Sequence, residues 1–430
     1  MSIHHARPPR LREAHAHLAA YGQSLGMPSL AHCESVEECL QHVHRACTEA
    51  GQHGFVRFTS ARVGGWAESR WPTLREMDQA TGMTRCVIMS FDHHCAAANS
   101  SAMSVAGLQP GVAVPPNGVV ELDPATGAAT GMLYEEAAYA AWNAAPEPTA
   151  TERVEYVRSA ARALAALGFV EVHDLHSQPW LMEVLLELDR AGELPVSVWL
   201  YPPAAELPAL APAWRAIETS RVRLAGGKIF ADGTLNSRTA HLIHRYVDPL
   251  TDAPRGRCMI APAALDEQIR IADGLDLPLA VHAIGDGAVR MVLDCIERVK
   301  PRTMGHRIEH CELIDRMDVP RFAALGVTCS VQPCHLLSDV EVLNRSVIHR
   351  LARVLPLREL LESGLVPGHI GTDGRAGLVF GSDVPIVRAN PEDSIQAAVK
   401  RRRESAPIED AIAFPQALSE EEAWGCFACE

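Results

Sequence analysis

Several short apolar runs in this chain end on residues that bind cations or move protons. "LPLAVHAIGDGAV" (277–289) ends its run on His282, "GHRIEHCELI" carries His310, and "GLVFGSDVP" ends on Asp383. "RLREAHAHL" places His15 and His17 two residues apart, and "GGKIFADG" carries Lys228. Residues two apart on a strand share a face, so both imidazoles of the "HAH" pair can reach one ion. Neutral imidazoles with a carboxylate favour zinc, manganese or iron over calcium or magnesium. The set exceeds what one tetrahedral zinc needs, which points to two divalent ions. Two neighbouring cations need a bridging anion, and a lysine amine supplies one only as a carbamate formed with CO₂. Singly, each residue has a plainer reading. A strand-end histidine is more often a hydrogen-bonded core or rim residue. Asp383 could cap a helix or close a turn, and Lys228 could snorkel or hold a structural ion pair.

The elements that must position these residues begin at about residue 151. "TERVEYVRSAARALAALG" has helical spacing and a glycine stop. After it, strands "FVEVHD", "LPVSVWLYP", "VRLAGGKIFADG", "LPLAVHA", "MGHRIEH", "VTCSVQP" and "LVFGSD" alternate with helices or loops. Short, near-continuous apolar strands separated by helices predict a parallel sheet. With "RLREAHAHL" as an early strand there are eight β/α units, which predicts an α/β fold of the closed (β/α)8 (TIM) barrel type. A doubly wound open sheet is the alternative. In a barrel the candidate ligands lie at the C-terminal ends of their strands, where barrel active sites sit. Residues 1–430 are read as one barrel domain. The stretch 50–150, with "GGWAESRWP", "CVIMSFDHH" and a Pro/Gly/Ala-rich tract, breaks the alternation and is read as an insertion between barrel strands 1 and 2.

The chain has 430 residues and a net charge of −14, which argues against nucleic acid or an anionic membrane as partner. No run approaches the roughly 18 apolar residues of a membrane span, and the start lacks a signal-peptide core, so a cytoplasmic location is expected. Twelve scattered cysteines fit reduced thiols. The terminal "CFAC" has CxxC spacing without a second pair, a weak zinc signal. "KRRRE" at 400–404 is read as a solvated helix face.

The segments "HAHL", "FDHHCAAANSSAM", "GGKIFADGTLNSRTA", "LAVHAIGDGAVRMVLD", "HRIEHCELI", "VTCSVQP" and "LVFGSDVPI" span nearly the whole chain. In them the chain resembles the amidohydrolase superfamily, and within it the family-3 branch of N-substituted formamide deformylases and related metal-dependent hydrolases. The resemblance implies a binuclear site, with zinc the expected metal. His15 and His17 would hold one ion and His282 and His310 the other. A carboxylated Lys228 would bridge them, and Asp383 would bind a metal and move protons. Two features depart from the pattern. Glu13 stands where the family places Pro-Gly and an aspartate, and both halves of the family's β-sandwich are expected to be missing. A less covered barrel is a surface that a homo-oligomer would bury.

The implied reaction is hydrolysis of a C–N bond in a small-molecule amide by hydroxide, with Asp383 shuttling the proton to the leaving nitrogen. His94 in "DHHCAAANS" matches a family position in the substrate pocket and is a candidate catalytic and substrate contact. Asp92 and Asn99 are read as holding that loop. Trp66 and Trp71 are candidates for the pocket wall, with core packing the competing role. Arg238 could hold an anionic substrate group or sit in a surface ion pair. Asp232 and Asp286 precede glycines, and turn or cap roles are expected. A non-catalytic barrel serving as a binding or assembly module is the alternative function. A carboxylate-pair glycosidase is discounted because Glu309, next to His310, should point to the opposite strand face.

Overall fold

The computed structural model describes residues 10–90, 95–109, 111–115, 118–250 and 253–429. The chain divides into two compact units, one of Met1–Leu25 with Glu152–Glu430 and one of Gly26–Thr151. Strand β1 (Leu11–Ala16) opens the first unit. β2 (Phe55–Ala61), β3 (Arg85–Ser90), β4 (Cys95–Ala98), β5 (Gly118–Leu122) and β6 (Ala129–Glu135) belong to the second. β7 (Phe169–Leu175), β8 (Ser197–Tyr201), β9 (Val222–Leu224), β10 (Gly227–Phe230), β11 (Leu279–Ala283), β12 (Arg307–His310), β13 (Thr328–Val331), β14 (Val366–Pro367) and β15 (Gly377–Phe380) return to the first.

In the first unit two all-parallel sheets run in the orders β1-β7-β8-β9 and β10-β11-β12-β13-β15-β14. Single parallel bridges extend both: Ala16 pairs with Val384, just past β15, and Pro203, just past β8, pairs with Lys228 of β10. Every residue of β1, β11, β12, β13 and β15 is buried. That is the burial expected of parallel strands covered on both faces. Helices such as Pro262–Gly274 and Asp286–Val299 contribute Leu265, Ile269, Val292 and Leu293 to one continuous core.

The single strand expected over "VRLAGGKIFADG" is two. The break falls at Ala225 and Gly226, between β9 and β10. The close approach explains the glycines: a Cβ on Gly226 would stand 2.5 Å from the Pro278 carbonyl oxygen, and one on Gly227 2.5 Å from Leu207 Cδ1. The "KRRRE" segment is not a solvated face throughout. Arg401 is fully buried and donates to the carbonyls of Val354 (2.6 Å) and Ile412 (3.0 Å).

The second unit contains the stretch 50–150 and also the helix Val36–Ala50. Its sheet runs β2-β3-β4-β6-β5, with β2 and β3 parallel and the remaining pairs antiparallel. Alternation along β3 divides two cores: Cys86 and Ile88 join Val43, Phe58 and Trp66, whereas Val87 and Met89 join Leu133 and Ala138. Among the described residues no helix is long and apolar enough to cross a membrane.

Candidate active site

Five of the six candidate ligands of the first unit lie where its strands end; Lys228 does not, being the second residue of the four-residue strand β10. His15 is near the end of β1 and His17 just beyond it. His282 is near the end of β11, His310 ends β12, and Asp383 follows β15. Asp383 has φ +63° and His310 φ +70°, left-handed values costly for residues with a side chain. The Asp383 backbone N–H is held by the His15 carbonyl at 2.7 Å. His15, His310 and Asp383 bring ligand atoms within 4.8 Å of one another, and His310, Glu312 and His335 form a second such group. Asp383 Oδ1 is 2.9 Å from His17 Nε2 and 3.3 Å from His15 Nε2. The His310 ring centre lies 4.9 Å from that of His15 and 4.4 Å from that of His282. Lys228 is 2% exposed, with its ammonium 5.1 Å from the centre of the Phe230 ring.

Electrostatics keep most of these imidazoles neutral. Burial, then the Lys228 charge, lowers His15 to about 4 and His282 to about 3. Burial and then the surrounding cationic groups hold His310 well below its usual value. At His17 burial works downward, but the hydrogen bond and charge of Asp383 outweigh it and the value rises. Burial pushes the Lys228 amine down to about 8. Burial opposes ionisation of Asp383, yet its histidine neighbours hold it well below the usual carboxylate range. His310 Nδ1 is buried with no hydrogen-bond partner. A neutral imidazole nitrogen left without a partner, beside other neutral imidazoles and an ionised carboxylate, fits a transition-metal ion.

Buried acids and an arginine behind these residues hold them in place. Glu309 Oε2 accepts from His15 Nδ1 at 2.8 Å. Arg307, fully buried, bonds Glu309, Ser330 Oγ (2.7 Å), the Ala14 carbonyl (2.7 Å) and His173 Nδ1 (2.7 Å). Asp232 accepts the N–H groups of Ile284 (3.0 Å), Gly285 (2.9 Å) and His241 (2.8 Å). It thereby ties the loop after β10 to the one after β11, and burial raises it to about 7. Asp286 accepts the Ile243 N–H at 2.8 Å and pairs with Arg350. Rather than closing local turns, both aspartates tie together segments distant in sequence, and Asp232 also lies 3.5 Å from His282 Nε2.

The expectation that Glu309 faces away from His310 is overturned. The left-handed backbone at His310 breaks the two-residue alternation, so neighbours that a regular strand would separate both meet His15. Sequence reasoning also passed over His176 and His335. His176 follows β7, its ring 5.5 Å from Phe230. His335 opens a helix after β13, where burial lowers its value but the carboxylates of Glu312, Asp383 and Asp339 lift it to about 9. "HDLH" at a strand end was a usable signal for His176; nothing local marks His335.

Arg238 pairs with Asp248 (3.5 Å), matching its ion-pair reading. Trp71 belongs to the second unit, where it meets Trp66 at 6.3 Å and packs against the core. Asn99 caps the helix Ser100–Val105 and bonds Cys86, Thr81 and Thr84. His94 and Asp92 lie outside the described residues. Cys426 and Cys429 are buried, and among the described residues neither joins a metal-type cluster.

The chain matches the model of the amidohydrolase family over residues 9–420. It is 29% identical over 416 residues to Protein LONG AFTER FAR-RED 3 of Arabidopsis thaliana, covering 91% of this chain and 68% of that protein. It is 26% identical over 432 residues to N-substituted formamide deformylase of Arthrobacter pascens, covering 95% and 77% respectively. A metal-dependent hydrolase of Pyrococcus horikoshii with a solved structure superposes with a TM-score of 0.77 at 26% identity, covering 98% of this chain and 79% of that one. With a family match running nearly end to end, this chain belongs to the amidohydrolase family.

Proposed function

We propose that the protein is a metal-dependent hydrolase that cleaves the C–N bond of a small amide, with N-substituted formamides the first class to test. The observation that carries this reading is the convergence of His15, His310 and Asp383 within 4.8 Å, with His17, Lys228 and His282 around them. The two parallel sheets are taken as arcs of one closed (β/α)8 barrel joined at the Ala16–Val384 and Pro203–Lys228 bridges. β1 pairs directly with β7, so the Gly26–Thr151 unit is taken as an insertion between the first two barrel strands.

His15 and His17 would hold one zinc-type ion and His282 and His310 a second. Lys228, converted to its carbamate, would lie between them. Bound there, such ions acidify water and polarise a carbonyl. The protein's own part is proton traffic and orientation. Asp383 Oδ1 takes the proton of the attacking water and returns it to the departing nitrogen. Glu309 holds the His15 proton on Nδ1, leaving Nε2 free for a ligand bond. Burial leaves a larger share of Lys228 as the free amine at neutral pH. That amine attacks CO₂, forming the N–C bond of the carbamate as one C=O π bond opens onto oxygen, and the nitrogen loses a proton to solvent.

The test is hydrolysis of N-substituted formamides, N-acyl amino acids and cyclic ureas by zinc-supplemented protein, with and without a chelator. Chelator-sensitive turnover supports the reading. Protein that takes up no metal in this unit after metal-supplemented expression would instead be a non-catalytic binding module.

A further inference from the structure

In the Gly26–Thr151 unit a second group of cation-binding side chains converges. His32, Cys33, Glu38 and His42 place ligand atoms within 4.8 Å of one another. Local structure accounts for the meeting. Ser35 caps the helix Val36–Ala50 by accepting from the Glu38 N–H. Glu38 and His42 follow four residues apart, hence on one helix face. Cys33 and His32 lie two and three residues before the cap.

The separations suit one ion. His32 Nε2 and His42 Nε2 are 3.0 Å apart, and Cys33 Sγ is 3.9 Å from His32 Nε2. A tetrahedral zinc with Zn–N near 2.0 Å and Zn–S near 2.3 Å requires N···N of about 3.3 Å and N···S of about 3.5 Å. These two separations differ from the tetrahedral values by under about half an ångström, and all four ligand atoms lie within 4.8 Å of one another. Glu38 Oε2 accepts the Glu34 N–H at 2.9 Å, which leaves Oε1 to face an ion.

We propose that His32, Cys33, Glu38 and His42 form a structural zinc-type site that pins the lead-in loop to the first two turns of the helix Val36–Ala50. Four protein ligands complete a tetrahedron and leave no position for substrate, so the role is structural. A thiolate with two imidazoles selects zinc-like ions over calcium or magnesium. The Cys33 thiol binds as its thiolate, so its proton is released to solvent when the ion enters. Arg45 Nη2 donates to His42 Nδ1 at 2.8 Å, which keeps the His42 proton on Nε2. Coordination moves that proton to Nδ1 and turns the exposed Arg45 away, so Arg45 competes with the ion. The site does not depend on the hydrolase reading.

Cobalt titration of the metal-stripped full chain tests this. A thiolate-to-cobalt charge-transfer band is expected, with an amplitude that accounts for one bound cobalt per chain and saturates by three total equivalents; the proposed hydrolytic site, which takes the other two, has no thiolate and cannot produce it. His32→Gln, at an exposed position, and Cys33→Ser should each abolish the band and lower total bound metal by one equivalent. Arg45→Ala should shift the titration to lower cobalt concentrations. No band in the unsubstituted chain, or a band that survives both ligand substitutions, overturns the proposal.

Discussion

Glu309 Oε2 and His15 Nδ1 stand 2.8 Å apart, fully buried, across 294 residues of sequence. Arg307 holds the same carboxylate from the other side. Glu309→Gln keeps the shape and removes the charge that orients His15. Metal affinity is expected to fall about 10–100-fold, read by competition with a chromophoric chelator. Unchanged affinity in a folded variant would dismiss the orienting role.

Asp383→Asn should retain the fold and bound metal while lowering kcat about 10²–10⁴-fold. Circular dichroism and metal analysis establish the first part and steady-state kinetics the second. Normal turnover would remove Asp383 from proton transfer.

Lys228 predicts a dependence on CO₂. Protein stripped of metal in CO₂-depleted buffer should recover activity with zinc only after bicarbonate is added. Lys228→Arg, which cannot form the carbamate, should not recover with either. Full recovery with zinc alone would mean that the amine binds unmodified.

His306 predicts acid sensitivity. Its Nδ1 accepts the Leu279 N–H at 3.1 Å, its Nε2 is buried without a partner, and burial lowers it to about 4. The unfolded chain therefore binds the proton first as pH falls. The stabilisation is complete above the unfolded value near 6.5 and lost between there and about 4. Over that window the loss approaches about 3 kcal/mol. His306→Asn, whose amide oxygen can still accept from Leu279, should show a smaller drop in melting temperature between pH 7 and pH 5. An identical drop would assign the acid sensitivity to other groups.

Most elements of the first unit were legible because hydrophobic periodicity is local. Helices such as Asp286–Val299 and strands such as β11 and β12 announce themselves within a dozen residues. Candidate ligands were legible for the same reason: a polar residue ending an apolar strand is a local anomaly. The direction of Glu309 was not, because it depends on a left-handed backbone at His310 that no propensity dictates. Nor was the pairing of Arg238 with Asp248, or the burial of Arg401 against the carbonyls of Val354 and Ile412.

By itself the sequence determined which residue types could carry the chemistry and on which strands they lie. Tertiary structure alone decided which of them meet. His15, His310 and Asp383 are brought together by strand pairing over more than 360 residues. His32 and His42 meet through a helix cap whose geometry the sequence only permits. The reason is physical. Periodicity reports the face a residue presents, whereas convergence depends on register and on a few left-handed residues stabilised by contacts distant in sequence.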